Sequence, residues 1–205
     1  MYTVVETKKF INRNTVNPSA MIKYISVIIS LISFNSSSSG QYQQFLSFIP
    51  AGFTLLDSAS GDINKDGKKD FLVILKNREE EIIAGAIRPL LLLTGDGKGL
   101  YQLSERNDSV VLCMGCGGVF GDPYAGITVR NGFFSIEHYG GSSWRWTRII
   151  TFKYDFKLNQ FVLHRDAGDS YHSSDPGRIT RNVYHKDDFG KLLFAKYSYE
   201  RAWGD

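Results

Sequence analysis

Proline, histidine and cysteine are scarce in this 205-residue chain, which holds five, four and two of them. The histidines (His138, His164, His172 and His185) show no paired spacing, so no motif supplies the two further ligands that a zinc site at Cys113 and Cys116 would require. There is no P-loop, no dinucleotide-binding glycine fingerprint and no nucleophile elbow. No apolar run reaches the roughly 20 residues that span a bilayer as a helix. A long internal repeat and a second domain are also missing. What is present in quantity is turn and strand material: 20 glycines, 14 phenylalanines and 11 tyrosines. Such a composition predicts a turn-rich antiparallel β protein large enough to bury a core.

The first forty residues differ from the rest. Met21-Ile22-Lys23 is a short basic start, Tyr24 to Phe34 ("YISVIISLISF") is apolar, and "NSSSSG" (Asn35 to Gly40) supplies small residues for cleavage. That is the three-part plan of a secretory signal peptide over 21–40, with 1–20 an upstream extension. No cysteine lies near the cleavage site, so nothing points to a lipid anchor. The leader carries four of the 24 basic residues (Lys8, Lys9, Arg13, Lys23) and one of the 21 acids (Glu6). Residues 41–205 are then left with twenty of each and no net charge, which removes the electrostatic motive for binding nucleic acid. The expectation is a mature chain with no transmembrane span, placed in the periplasm, at the cell surface or outside the cell.

From residue 41 the chain reads as strands between tight turns, a single β-rich domain. Phe71 to Lys76 and Arg88 to Thr94 are short β-rich blocks, and "GDGKG" (Gly95 to Gly99) turns the second into "LYQLSE". Asn131-Gly132, between Ile127–Arg130 and Phe133–His138, predicts a hairpin with a type I′ turn. "YGGSS" and "DFKLN" mark the next reversals, around strands over Trp144–Tyr154 and Gln160–Arg165. "YHSSDPG" sets His172, Ser173, Ser174 and Asp175 side by side, which reads as a turn, since triads are assembled in space. "DDFGKLLFAKY" fits either a short helix capped by Asp187 or a last strand. The predicted fold is mainly β with little helix: an antiparallel meander or sandwich, or a partial propeller-like sheet, with a calcium-binding loop.

That loop is "GDINKDGKKD" (Gly61 to Asp70). Ca²⁺ takes six to eight hard oxygens from a short flexible loop. Asp62, Asn64 and Asp66 fill its first, third and fifth positions, Gly67 the sixth, and Lys68 offers a backbone carbonyl at the seventh. An EF-hand would need a glutamate at the twelfth position and flanking helices; Val73 stands there, inside strand-like "FLVIL". Asp70, at the ninth position, closes the site instead. The expected ion is Ca²⁺ in a stabilising role, bound at about 10⁻⁴–10⁻³ M as in extracellular modules.

The pattern D-x-N-x-D-G-x-x-D before an apolar strand resembles the calcium loop of FG-GAP and VCBS-type repeats. "RPLLLLTGDGKGLYQL" resembles the later part of such a repeat, which places the repeat-like segment over about 53–105. Further on, "VVLCMGCGGVFGDPYAGI" and "HYGGSSWRWTRIITFKYD" are similar to an uncharacterised class of bacterial secreted proteins with a single repeat. The resemblance implies a calcium loop joining β-strands, often in propeller blades, in an exported or cell-surface protein.

Two features remain. Cys113-Met114-Gly115-Cys116 reads as a small disulfide pinning a glycine-rich loop, with a redox pair and half of a zinc site as the alternatives. In "YGGSSWRWTR", Trp144, Trp146 and Arg148 share one strand face and, with Tyr139, form a candidate surface for stacking on a sugar or gripping a peptide. The alternative is that both tryptophans fill the core. Together these features predict an exported binding or structural module whose partner is an envelope protein or a glycan. A secreted hydrolase acting on glycans is the rival reading.

Overall fold

The computed structural model describes residues 46–201; the upstream extension and the signal-peptide segment lie outside the described residues. Two antiparallel sheets are laid down in chain order. β1 (Phe53–Gly61), β2 (Asp70–Asn77), β3 (Arg88–Gly95) and β4 (Tyr101–Val111) form the first. β5 (Tyr124–Arg130), β6 (Phe133–Gly141), β7 (Trp144–Asp155), β8 (Gln160–His172) and β9 (Asp175–His185) form the second. The mainly β, meander-and-sandwich expectation is what the chain adopts. Among the described residues no helix is long and apolar enough to cross a membrane.

Apolar patterning explains how the sheets meet. β2 and β3 are apolar at consecutive positions because both of their faces are covered. Leu72, Ile74, Leu90 and Leu92 face the second sheet, where they meet Phe134, Ile136, Ile150, Phe152, Phe161 and Leu163. On the other face Phe71, Val73, Leu75, Leu91 and Leu93 pack with Phe48, Ile49, Phe53, Leu55 and Tyr101. β6 alternates strictly: Phe134, Ile136, His138 and Gly140 are buried, while Phe133, Ser135, Glu137 and Tyr139 are half-buried on the opposite face. The expected Asn-Gly turn closes β5 to β6, with φ of 54° at Asn131 and 75° at Gly132, both in the left-handed region a type I′ turn demands.

The last fifth of the chain shows what weak periodicity concealed. β8 runs on to His172, the reversal falls at Ser173-Ser174, and Pro176 and Gly177 lie within the edge strand β9. Proline is tolerated there because an edge strand has backbone donors with no ladder to feed. A single helical turn, α1 (Lys186–Phe189), follows. Its cap is His185 rather than the expected Asp187: the Asp188 carboxylate accepts the His185 N–H at 2.7 Å. The chain then enters the gap between β4 and β8. Asn107 on β4 donates to the carbonyls of Phe194 (2.5 Å) and Tyr197 (2.8 Å), and both of these aromatic side chains are buried. Phe194 meets Phe134 and Phe152 with ring centroids 5.6 and 5.1 Å apart. Rings this large contribute about 1.5–3 kcal/mol each when fully buried.

The two ends of the sandwich carry different loops. β3 begins at Arg88 and finishes at Gly95, seven residue steps that place its ends about 23 Å apart at roughly 3.3 Å per step. The aspartate loop lies at the Gly95 end. The cysteine loop, which carries the chain from β4 of one sheet to β5 of the other, lies at the Arg88 end.

Candidate functional site

At the Gly95 end the aspartates organise their own loop. The two carboxylate oxygens of Asp62 accept the N–H groups of Asp66 and Gly67, each at 3.0 Å. Asn64 Oδ1 also accepts the Asp66 N–H, and Asp66 Oδ1 accepts that of Lys68. The turn passes through left-handed backbone at Lys65 (φ 60°) and Gly67 (φ 81°). Asp70 behaves differently. It is fully buried at the start of β2, and its carboxylate accepts N–H groups from Ile63 (2.9 Å), Asn64 (3.3 Å) and Gly95 (3.1 Å). Burial holds its carboxyl above the usual range against the pull of those bonds. Asp70 therefore clasps the loop to β3. The Lys68 ammonium lies 3.6 Å from the Asp66 carboxylate, and the backbone carbonyl is the one oxygen Lys68 could offer a cation. Among the described residues, no three acidic, histidine or cysteine side chains gather closely enough to hold a metal ion.

Beside this loop is a polar hollow of about 550 Å³, lined by Asn64, Asp66, Asp96, Gln102, Tyr154 and Asn159 among others. Asp66 is held below the usual carboxylate range: burial pushes it up, but the Lys68 N–H, Asn64 and the Lys68 charge outweigh that. The N–H groups of Lys98 and Leu100 hold Asp96 low as well.

At the Arg88 end the cysteines form the expected disulfide, with Cα atoms 5.2 Å apart, around a 3-10 turn at Met114–Gly117. The segment is fixed from both sheets. Leu112, just before Cys113, donates its N–H to His138 Nε2 and accepts from Arg88 Nη1, each at 3.3 Å. Arg88, fully buried, also holds Asp122 through two 2.7 Å bonds and Glu80 through bonds of 2.9 and 3.0 Å. Asp122 thus belongs to the cysteine loop, at the far end of β3 from the aspartate loop. His138 is only 2 % exposed, and its Nδ1 has no hydrogen-bond partner. Burial, reinforced by the Arg148 charge, pushes its pKa down to about 4, so the ring is neutral at physiological pH.

Between the cysteine loop, β7, β8 and the tail lies a cleft of about 600 Å³. Apolar and aromatic Leu112, Trp146 and Tyr199 line it together with Cys116, Thr147, Arg148, Asp169, Ser170 and Glu200. Register explains the arrangement. Residues directly opposite in an antiparallel pair share a face, and Gly140 stands opposite Trp146, which stands opposite Ser170. A Cβ on Gly140 would lie 2.5 Å from the Trp146 ring, so only glycine leaves the indole its place. Arg148 pairs with Asp166 at 2.8 and 2.6 Å, and both are almost wholly buried. Tyr197 donates to Asp166 at 2.8 Å, while Arg148 donates to the Tyr199 carbonyl at 3.1 Å. The Arg148 guanidinium also lies 3.9 Å from the centre of the Tyr199 ring.

The four residues expected to share one recognition surface are therefore divided. Tyr139 pairs with Thr147 and lies on the opposite face of the sheet, near Phe120 and Arg145. Arg148 is a buried structural cation and no exposed grip. Trp144 is 61 % exposed and touches His172, whereas Trp146 is half-buried in the cleft wall. Neither tryptophan fills the core. Sequence reasoning missed Arg88, His138, Asp166 and Tyr199. Two of them left a signal: Arg88 opens an otherwise apolar strand, and His138 occupies an inward position in the alternation of "FFSIEHYG". No known protein family, curated protein or solved structure matches this chain.

Proposed function

We propose that this chain is an exported, calcium-binding recognition module of the cell envelope, and that its Trp146–Tyr199 cleft takes a short extended peptide segment of another envelope protein. One observation carries the choice of ligand: Leu112, Trp146 and Tyr199 give the cleft apolar and aromatic walls, and of its three charged side chains Arg148 and Asp169 are spent within the fold, leaving the exposed Glu200. Arg148 is bound to Asp166, and Asp169 to Arg181 at 2.7 and 2.8 Å. A hydroxyl-rich sugar loses water and needs free partners in return, whereas an apolar or aromatic peptide side chain does not. Export is supported by the signal-peptide plan of 21–40 and by the disulfide, a bond that persists in oxidising compartments.

Calcium is the proposed ion of the Gly61–Asp70 loop. Asp62, Asn64, Asp66 and the Lys68 carbonyl would hold it, with Asp70 as the clasp behind them. The reading rests on the donor spacing and on the tight turn through Lys65 and Gly67. The ion would supply positive charge to a loop rich in carboxylates, and so stabilise it.

A second reading, glycan binding or glycan hydrolysis at the polar hollow beside that loop, is favoured by its hydroxyl and amide lining. Hydrolysis needs one carboxyl kept protonated near neutral pH. Asp66 and Asp96 are both held low, which favours recognition over acid–base chemistry there.

The test is to pan a displayed library of short peptides, and in parallel a glycan array, against the full chain. Peptides with an aromatic or large apolar anchor are expected to be enriched, with affinity falling about tenfold or more in Trp146→Ala, the loss typical of a buried aromatic anchor. Trp144→Ala is expected to leave binding unchanged. Enriched peptides indifferent to Trp146→Ala, or binders found only on the glycan array, would overturn the peptide reading.

A further inference from the structure

We infer that the Cys113–Cys116 disulfide is a thiol–disulfide exchange centre, acting on a cysteine-bearing peptide seated in the cleft; this rests on the peptide-binding reading above. Three observations converge on it. First, the bond contributes little to holding the fold, because it closes a ring of only four residues and removes little chain entropy.

Second, the loop keeps its shape by other means. Leu112 is held on both sides by His138 and Arg88, and the Cys116 N–H bonds the Cys113 carbonyl at 3.1 Å. Gly117 N–H bonds the Gly121 carbonyl at 2.8 Å, and Val119 N–H the Gly141 carbonyl at 3.1 Å. A cross-link that the backbone bonds make redundant is free to open and close without unfolding its surroundings.

Third, the two cysteines differ in access. Cys116 is exposed and lines the cleft beside Trp146 and Tyr199; Cys113 is half-buried behind it. Small, exposed disulfides are the labile members of their class. Here the labile bond adjoins an aromatic cleft that is positioned to seat the residues flanking an incoming thiol.

The chemistry balances without a further co-reactant. A thiolate of the peptide attacks Cys116 Sγ, forming the mixed disulfide, and Cys113 leaves as a thiolate that takes up a proton from water. A second thiol of the same peptide, deprotonated, attacks the peptide sulfur of that mixed disulfide and releases Cys116 as a thiolate. The peptide loses two electrons and becomes a disulfide, and the protein gains them and becomes a dithiol. One turnover per protein follows from the bond it carries.

The experiment mixes the full oxidised chain with a reduced two-cysteine peptide bearing a tryptophan, then acid-quenches, alkylates and weighs the products. An oxidised synthetic peptide of residues 110–119 serves as the bare ring. The whole chain is expected to oxidise the probe about tenfold or more faster than the bare ring, since docking raises the effective concentration of the thiol. Trp146→Ala is expected to fall to the rate of the ring. The double substitution Cys113→Ser/Cys116→Ser is expected to oxidise nothing and to lower Tm by less than about 8 °C, the ceiling for so small a ring in a chain of this size. Equal rates for chain and ring, or a larger fall in Tm, would overturn the inference. If the probe binds in a Trp146-dependent way yet no exchange occurs, the exchange centre is refuted while the peptide-binding reading stands. If neither binding nor accelerated exchange depends on Trp146, both fall.

Discussion

Replacing Asp166 with alanine takes a carboxylate away from the buried Arg148 guanidinium, and the consequences can be worked from the contacts it would lose. In the intact protein Arg148 is 1 % exposed and Asp166 fully buried. The Arg148–Asp166 pair joins β7 to β8, and through Tyr197 and the Tyr199 carbonyl it also fastens the C-terminal tail. Removing one partner of such a pair costs about 3–5 kcal/mol, because the remaining charge keeps its desolvation penalty. In a chain of this size that lowers Tm by about 6–20 °C. Removing both charges, as in Arg148→Met/Asp166→Leu, is expected to return most of the loss, since desolvation largely offsets attraction in the intact pair. Urea and thermal unfolding followed by tryptophan fluorescence read both numbers. If Asp166→Ala cost less than about 1 kcal/mol, the value of an exposed pair, water entering from the cleft would be solvating Arg148, and the reasoning from burial would be refuted.

Acid should destabilise the fold through His138. Its folded pKa of about 4 lies below the 6.5 of a free histidine, so the unfolded chain takes up the proton first as pH falls. Stability is therefore full above about pH 6.5 and declines by about 3 kcal/mol as pH falls toward 4. His164 is also held low by burial, so the comparison is with His138→Gln, whose urea midpoints should fall much less over that range; parallel curves would refute the assignment. Calcium supplies the other test. Given Kd of about 10⁻⁴–10⁻³ M, Ca²⁺ at about 10 mM should add roughly 1–3 kcal/mol and raise Tm, an effect absent in Asp62→Ala. An equal rise with Mg²⁺, or a rise that survives Asp62→Ala, would show that the loop is not the site.

The strands were legible because their apolar content and turn residues agree. "FLVIL" and "LLLL" are short apolar blocks bounded by turn residues and so read as strands, and Asn131-Gly132 favours a type I′ reversal. The cysteine spacing likewise supported a local disulfide. Cross-strand register was not legible. Alternation within β6 puts His138 and Tyr139 on opposite faces, but nothing in it says which of them joins Trp146. That is decided by Gly140 falling opposite Trp146, and a shift of one residue would reverse it. Arg148 counted toward a candidate surface because a charge in an alternating strand usually faces water. Its inward partner, Asp166, sits 18 residues away on the next strand. The tail escaped for a different reason: short 3-10 turns held by side-chain bonds from Asn107 carry no apolar period to detect.

Asp70 carries the most physical information about how the two ends relate. An acid at the ninth position of a calcium loop reads as a ligand, yet its oxygens are given to three backbone N–H groups, one of them Gly95 at the end of β3. The loop is thus tied to a strand whose other end, Arg88, holds the cysteine loop by way of Asp122 and the Leu112 carbonyl. The span between is buried leucine paired on both sides, with Leu90 to Leu93 in register with β2 and β4. A core packed at such density resists deformation and does not bend by small amounts. Sites that share no partner and lie about 23 Å apart contribute additively to stability. Calcium at one end should therefore tighten its own loop and raise global stability, leaving affinity and exchange chemistry at the cleft unchanged. On the proposed reading the ion would act as a stabiliser of the fold, and recognition would belong to the end built by Trp146, Tyr199 and the disulfide.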